Sequence, residues 1–292
     1  MLDVFLDSLL DSLKIAAIAL AFHLVLSFFE DKISKKLEKS KKYGPLIGSS
    51  VGLIPQCGIS VISADLYVKE HITIGTIIAV FIACSDEALP ILFSEPSKIG
   101  YAFLLLAFKF VIALMVGYSV DLIFKKRKDA VKEHFHQCHH KEEIHVGCCG
   151  HEIDNEKENK WHKHLLHPLI HTLKLFVYVF VITFGFGILI YYIGEDNVYN
   201  FIESNKYLSP LFSSIIGLIP NCASSVIITK LYIANGIGIG ALLAGLIVNA
   251  GLGLFYLLRK DKNKKKVLLL ILFLFLISLI FGYVVSLIFG FK

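Results

Sequence analysis

Apolar residues run in long blocks along this chain, and the charged residues cluster between them. Stretches of about 18 or more residues with few charges mark membrane-spanning helices. Eight such stretches occur, at roughly 10–29, 45–68, 72–93, 101–124, 168–193, 209–233, 236–258 and 267–290. The pattern predicts an all-α polytopic membrane protein. Two of the blocks carry nearly the same interruption, "GLIPQC" at 52–57 and "GLIPNC" at 217–222.

Displacing the chain by 165 residues, from Pro55 to Pro220, brings the segments around these hexapeptides into register. Pro45 meets Pro210, Ser49 meets Ser214, Gly52 meets Gly217, Cys57 meets Cys222, Ser60 meets Ser225 and Tyr67 meets Tyr232. Matches of Gly, Pro, Cys, Ser and Tyr at one offset are hard to obtain by chance in apolar sequence, so the chain reads as an internal duplication. The expected organisation is a first transmembrane repeat at 1–128, a His/Cys-rich loop at 129–165 and a second repeat at 166–292.

Lysine placement sets the topology. Lys32, Lys35, Lys36, Lys39, Lys41 and Lys42 put the loop after the first block in the cytoplasm, and Lys125, Lys126, Arg127 and Lys128 put the loop after the fourth there too. Three apolar blocks lie between, yet a return to the same side takes an even number of crossings. In the second repeat the acidic loop at 194–208 reads as external, and the loop with Arg259, Lys260, Lys262 and Lys264–Lys266 as cytoplasmic. Two blocks then stand where one crossing is needed. The mismatch falls on the pair holding the Pro motif in both repeats.

Each motif therefore predicts a re-entrant hairpin or a broken helix, opened by Gly52 and Pro55 in one repeat and by Gly217 and Pro220 in the other. About twelve residues per arm at ~1.5 Å each reach roughly the centre of a ~30 Å hydrocarbon core. Backbone groups freed there need a cavity or a bound species. The first block of each repeat runs in the opposite sense, so the repeats are expected to be inverted. Paired breaks at the midplane are how many secondary transporters build a substrate site. Two packing kinks are the simpler account of the prolines, but they leave the shared topological mismatch unexplained.

Composition supports the membrane reading. The 292 residues are 55% hydrophobic and 18% charged, with a mean hydropathy of +0.68, against roughly half apolar and a quarter charged in soluble domains. The net charge of +5 follows from the loop lysines and calls for no nucleic acid. The start, "MLDVFLDSLLDSLK", lacks the basic region and cleavage site of a signal peptide.

Candidate chemistry sits at the breaks. Gln56 with Cys57 and Asn221 with Cys222 pair an amide with a soft thiol, and Ser60 and Ser225 follow three residues after each thiol. A lone cysteine in a membrane is usually a small filler; a matched pair of amide–thiol dipeptides points to a site. "ACSDEALPIL" places Asp86 and Glu87 within an apolar stretch, where carboxylates suggest a cation or proton path. Their repeat counterparts are Gly251 and Leu252, and Cys84 aligns with Asn249. Seated at headgroup level the two acids would mean less, although the chain stays apolar through Phe93. Lys109 lies deeper and could pair with Asp86 or Glu87.

Nine of the twelve histidines lie between His134 and His167. His134, His136, Cys138, His139, His140, His145, Cys148, Cys149 and His151 are candidate ligands for a transition metal. Their spacing forms no fixed zinc frame, so a flexible collector or sensor of cytosolic metal is the expectation.

With "GLIPQCG", "CSDEALPIL", the "GLIPNCA" echo and this loop, the chain resembles a bacterial and archaeal family of manganese transporters. These are also described as ten-segment heavy-metal exporters and are related in name to the arsenic permeases. The resemblance spans nearly the whole chain and implies efflux of a metal or metalloid. Ten crossings agree with the topology if each hairpin arm is counted separately.

The expectation is a secondary transporter in the cell membrane that exports a divalent transition metal, manganese or a heavy metal, by alternating access with proton coupling. No Walker sequence occurs, no enzyme activity is expected, and no cofactor is required beyond the metal as substrate. Expected partners are the metal ion, the lipid bilayer and at most a second copy in a homodimer. A metalloid or small-anion permease is the first alternative, and a membrane metal sensor working through the His/Cys loop is the second.

Overall fold

A computed structural model describes residues 2–27, 43–55, 57–69, 71–84, 88–124, 206–219, 222–261 and 263–291, with one helical face between 169 and 188. The regular structure among the described residues is helical, without strands. The expected boundaries near 128 and 165, and every His and Cys of the loop named above, lie outside them.

After α1 (Leu2–Ser27) the first repeat consists of α2 (Gly44–Gly52), α3 (Cys57–Val68), α4 (Ile74–Ala83), α5 (Ala88–Ser94) and α6 (Ile99–Ile123). The second consists of α7 (Ser209–Gly217), α8 (Cys222–Ile233), α9 (Ile239–Val248), α10 (Gly251–Lys260) and α11 (Lys264–Phe289). Pro45 and Pro210 stand in the first turns of α2 and α7, where a missing N–H costs nothing. The Gly-Leu-Ile-Pro runs then end both helices at the predicted places.

Which block re-enters follows from close glycine contacts. Gly44, at the start of α2, lies against Thr76 near the start of α4, while Gly52, at its end, lies against Val80 and Ala83. The two helices run side by side in one direction, so α3 must carry the chain back. Residues 44–68 thus dip in and return, and 74–94 cross. Gly117 and Asp121, late in α6, meet Gly75 early in α4, so α6 runs back to the end from which α4 began.

The second repeat packs alike. Gly217 of α7 lies on Gly245 and Val248 of α9, and Gly282 and Ser286 of α11 lie on Ala244 and Gly240. Contacts between the repeats give their relative sense. Ser60 meets Gly253, and Asp65 meets Tyr256, so α3 and α10 run in the same direction and both finish at the Gly44 end. At the other end Lys98, in the turn after α5, donates to Asn235 Oδ1 in the turn before α9 (2.9 Å). The crossings 74–94 and 239–260 consequently traverse the protein in opposite directions.

Among the described residues, four helical stretches are long and apolar enough to cross a membrane, 74–94, 96–123, 239–260 and 264–289. The two interrupted ones are central, 93% and 78% buried over their most apolar windows, against 33% and 28% for the stretches containing α6 and α11. The outer pair presents Phe103, Val111, Met115, Leu268, Leu272 and Ile280 outward, as a lipid-facing wall requires.

Candidate ion site at the paired helix breaks

Four interruptions meet near the middle of the fold. The first hairpin turns at Leu53–Pro55, where Gly52 allows the tip to sit on the last turn of α4; a Cβ there would lie 2.6 Å from Val80 O and 2.8 Å from Ala83 Cβ. Gly217 seats the second tip on the last turn of α9 in the same way. The shared glycines of the two motifs are therefore fixed by backbone approach. Pro55 is buried at its turn; Pro220 lies outside the described residues.

The breaks in the crossing helices have separate local causes. Cys84 leaves helical geometry with ψ 130°. Asn249 does so with ψ 88°, and Gly251 follows in the left-handed region at φ 57°, a conformation glycine adopts without a Cβ penalty. Asn249 Oδ1 accepts from Gly251 N at 3.1 Å. This bond is an Asx turn that leads the chain into α10, which gives the predicted ligand position a structural task.

Ser60 and Ser225 are both buried. Ser60 Oγ accepts from Gly253 N at 3.3 Å, across the boundary between repeats. Gly253 has little room: a Cβ would stand 2.5 Å from Ser60 O. Cys84 is buried and forms no disulfide. Cys57 and Cys222 open α3 and α8, but their side chains, like Gln56, Asp86, Glu87 and Asn221, lie outside the described residues. Among the described residues no three His, Cys, Asp or Glu side chains gather as a metal cluster.

Lys109 is fully buried on α6. Its ammonium donates to Cys84 O, and to Leu246 O in the last turn of α9 at 3.0 Å. Sequence reasoning placed this lysine deep and suggested a carboxylate partner; backbone carbonyls from both repeats are among its partners. The zone so formed near the middle of the fold has carbonyl-bearing helix ends from α2, α4, α7 and α9. It also has amide-bearing starts of α3, α8 and α10. Helix ends of both polarities can hold ions.

Two further side-chain sites escaped the sequence reading. Asp121 Oδ1 accepts from Gly75 N at 2.9 Å, and its Oδ2 accepts from Thr73 Oγ1 at 2.8 Å. Thr73 Oγ1 in turn caps α4 by accepting from Thr76 N. The "TIGT" run was a cap signature, but nothing local announced its tie to Asp121. Asp65 is buried and accepts a hydrogen bond from Tyr256 of the other repeat.

The family model described as "Putative, 10TM heavy-metal exporter" matches residues 2–180 and again 172–290. No curated protein and no solved structure matches the chain. The family's described activity is export rather than catalysis, and its description names heavy metal without specifying manganese. With the apolar crossings and the repeated breaks, the chain is a multi-pass membrane protein belonging to this ten-span heavy-metal exporter family.

Proposed function

We propose that the protein is a secondary transporter that moves a divalent transition metal, manganese or a heavier ion, out of the cell by alternating access between two inverted repeats. The observation that carries this reading is the meeting of two dipping hairpins with the breaks of two oppositely directed crossings. Small rotations of one repeat against the other would expose that zone first to one side and then to the other.

Asp86 and Glu87 supply hard oxygen ligands or the coupling carboxylates. Gln56, Asn221 and the carbonyls opened around Pro55 and Pro220 complete the shell, with Ser60 and Ser225 beside it. Cys57, Cys84 and Cys222 favour softer ions. Arg259, Lys260 and Lys264 stand at the end where α3 and α10 finish, the same end as Gly44, which the Lys32–Lys42 run precedes in the chain. The basic residues at this end support a cytoplasmic assignment for it, and on that assignment the His/Cys loop, which follows the Lys125–Lys128 cluster in the chain, serves as a cytoplasmic collector of metal.

The buried Lys109 ammonium favours one other reading, a permease for a metalloid or small anion held by the helix starts. Uptake of Mn²⁺, Zn²⁺, Cd²⁺, Co²⁺ and arsenite into inside-out vesicles decides between them. Divalent uptake lost in Asp86→Asn/Glu87→Gln supports cation export. Arsenite uptake indifferent to both substitutions supports the permease, and no uptake of any of these refutes both.

A further inference from the structure

Lys109 holds two carbonyls that helices leave over. Leu246 O lies among the last four carbonyls of α9, which lack partners within the helix, and Ala250 N turns instead to Val248 O. Cys84 O follows the end of α4. One carbonyl belongs to each repeat, and both stand at the negative ends of helix dipoles. The repeat counterpart of Lys109 is Leu274, also fully buried, so this position brings a cation from only one repeat. A charge taken this far from water persists only where it is held.

We propose that Cys84 O and Leu246 O form a cation subsite, filled in this conformation by the Lys109 ammonium, and that a metal ion passing the breaks displaces the ammonium from it. The subsite itself takes a primary ammonium ion; only its role in metal passage rests on the export reading. A tethered cation competes with a free one, because like charges at short range in a weakly polar medium repel strongly. Removing Lys109 therefore tightens metal binding, whereas a merely structural lysine would lower stability and leave metal affinity unchanged or weakened.

The test uses full-length protein in nanodiscs. Lys109→Ala removes three methylenes and the ammonium, the outline of n-propylammonium. That ion should raise the variant's unfolding temperature and leave the wild type unmoved, and 1-propanol should not substitute for it. Calorimetry with Cd²⁺ should show binding at least about tenfold tighter in Lys109→Ala and Lys109→Met, with Lys109→Arg close to wild type. Propylammonium should compete with Cd²⁺ in the Ala variant.

Equal effects of propylammonium and 1-propanol would overturn the subsite, and Cd²⁺ affinity unchanged or weaker in both neutral variants would overturn its role in metal passage. If neither neutral variant folds alone, recovery of folded Lys109→Ala by propylammonium during solubilisation supports the proposal, and failure of recovery overturns it. A wild type that exports no metal, with the propylammonium effect intact, removes the export reading and leaves the subsite standing. Metal export by the wild type without that effect does the reverse.

Discussion

Tyr256 donates its hydroxyl hydrogen to Asp65 Oδ1 at 2.7 Å, fastening the returning arm of the first hairpin to the second repeat. Lys69 reaches the other carboxylate oxygen at 3.1 Å, but its side chain is 36% exposed, so solvent weakens that ion pair. Lys69 also lies four residues on in the same arm, so of these two contacts the tyrosine bond is the one that joins the repeats. Tyr256→Phe should cost about 1.5–3 kcal/mol, the range for a hydrogen bond to a charged group. Thermal unfolding in detergent checks the size of the loss, and Lys69→Ala should show a smaller one.

The tips of the hairpins should tolerate no added methyl. Gly52→Ala and Gly217→Ala each drive a Cβ into the backbone of the neighbouring crossing helix, at a cost of about 1–3 kcal/mol for overpacking. Gly100→Ala, with nothing within 4 Å of the new atom, is the matched control and should be neutral or slightly stabilising. Melting temperatures of the three variants test the comparison, and vesicle uptake should fall with the first two.

Asp121 should matter more than its size suggests. Asp121→Ala leaves Gly75 N and Thr73 Oγ1 without their acceptor in a buried place, for a loss of about 1–3 kcal/mol. Asp121→Asn keeps an acceptor oxygen and should lose less. Unfolding of the two variants in parallel shows whether the ordering holds.

Asn249→Ala removes the acceptor for Gly251 N and should destabilise by about 1 kcal/mol, as loss of one hydrogen bond does. Asn249→Asp, which keeps the acceptor oxygen, should retain most of that stability. A metal-binding role for Asn249 would appear separately, as weakened Cd²⁺ binding in the Ala variant beyond any change in melting.

Removing residues 134–164 distinguishes collector from sensor. On the export reading the truncated protein should still transport, with reduced uptake at low metal concentration and near-normal uptake at saturating metal. Complete loss at every concentration would favour the sensor. Concentration series in inside-out vesicles give the answer.

Much of the architecture was legible because its causes are local or repeated. Gly52, Pro55 and their echoes at Gly217 and Pro220 mark the interruptions, and the lysine clusters show that one block per repeat cannot cross. The choice of re-entering block was not legible. Residues 45–68 and 72–93 are both apolar enough, and the decision lies in Gly44, Gly48 and Gly52 packing along α4, a contact between segments. Asn249 illustrates a second limit: an amide beside a break reads as a ligand until the amide of Gly251 is seen to use its oxygen. Tyr256 was silent for a third reason, since its partner Asp65 lies 191 residues away.

The unequal joints between α4 and α6 and between α9 and α11 have a mechanical consequence. Asp121 bolts the first pair through two hydrogen bonds, whereas the matching place in the second pair is a smooth face of Gly240, Gly282 and Ser286. A bolted joint resists sliding and a smooth one permits it. On the alternating-access reading proposed above, the second pair is therefore the one expected to slide, so that two copies of one part would not share the motion equally.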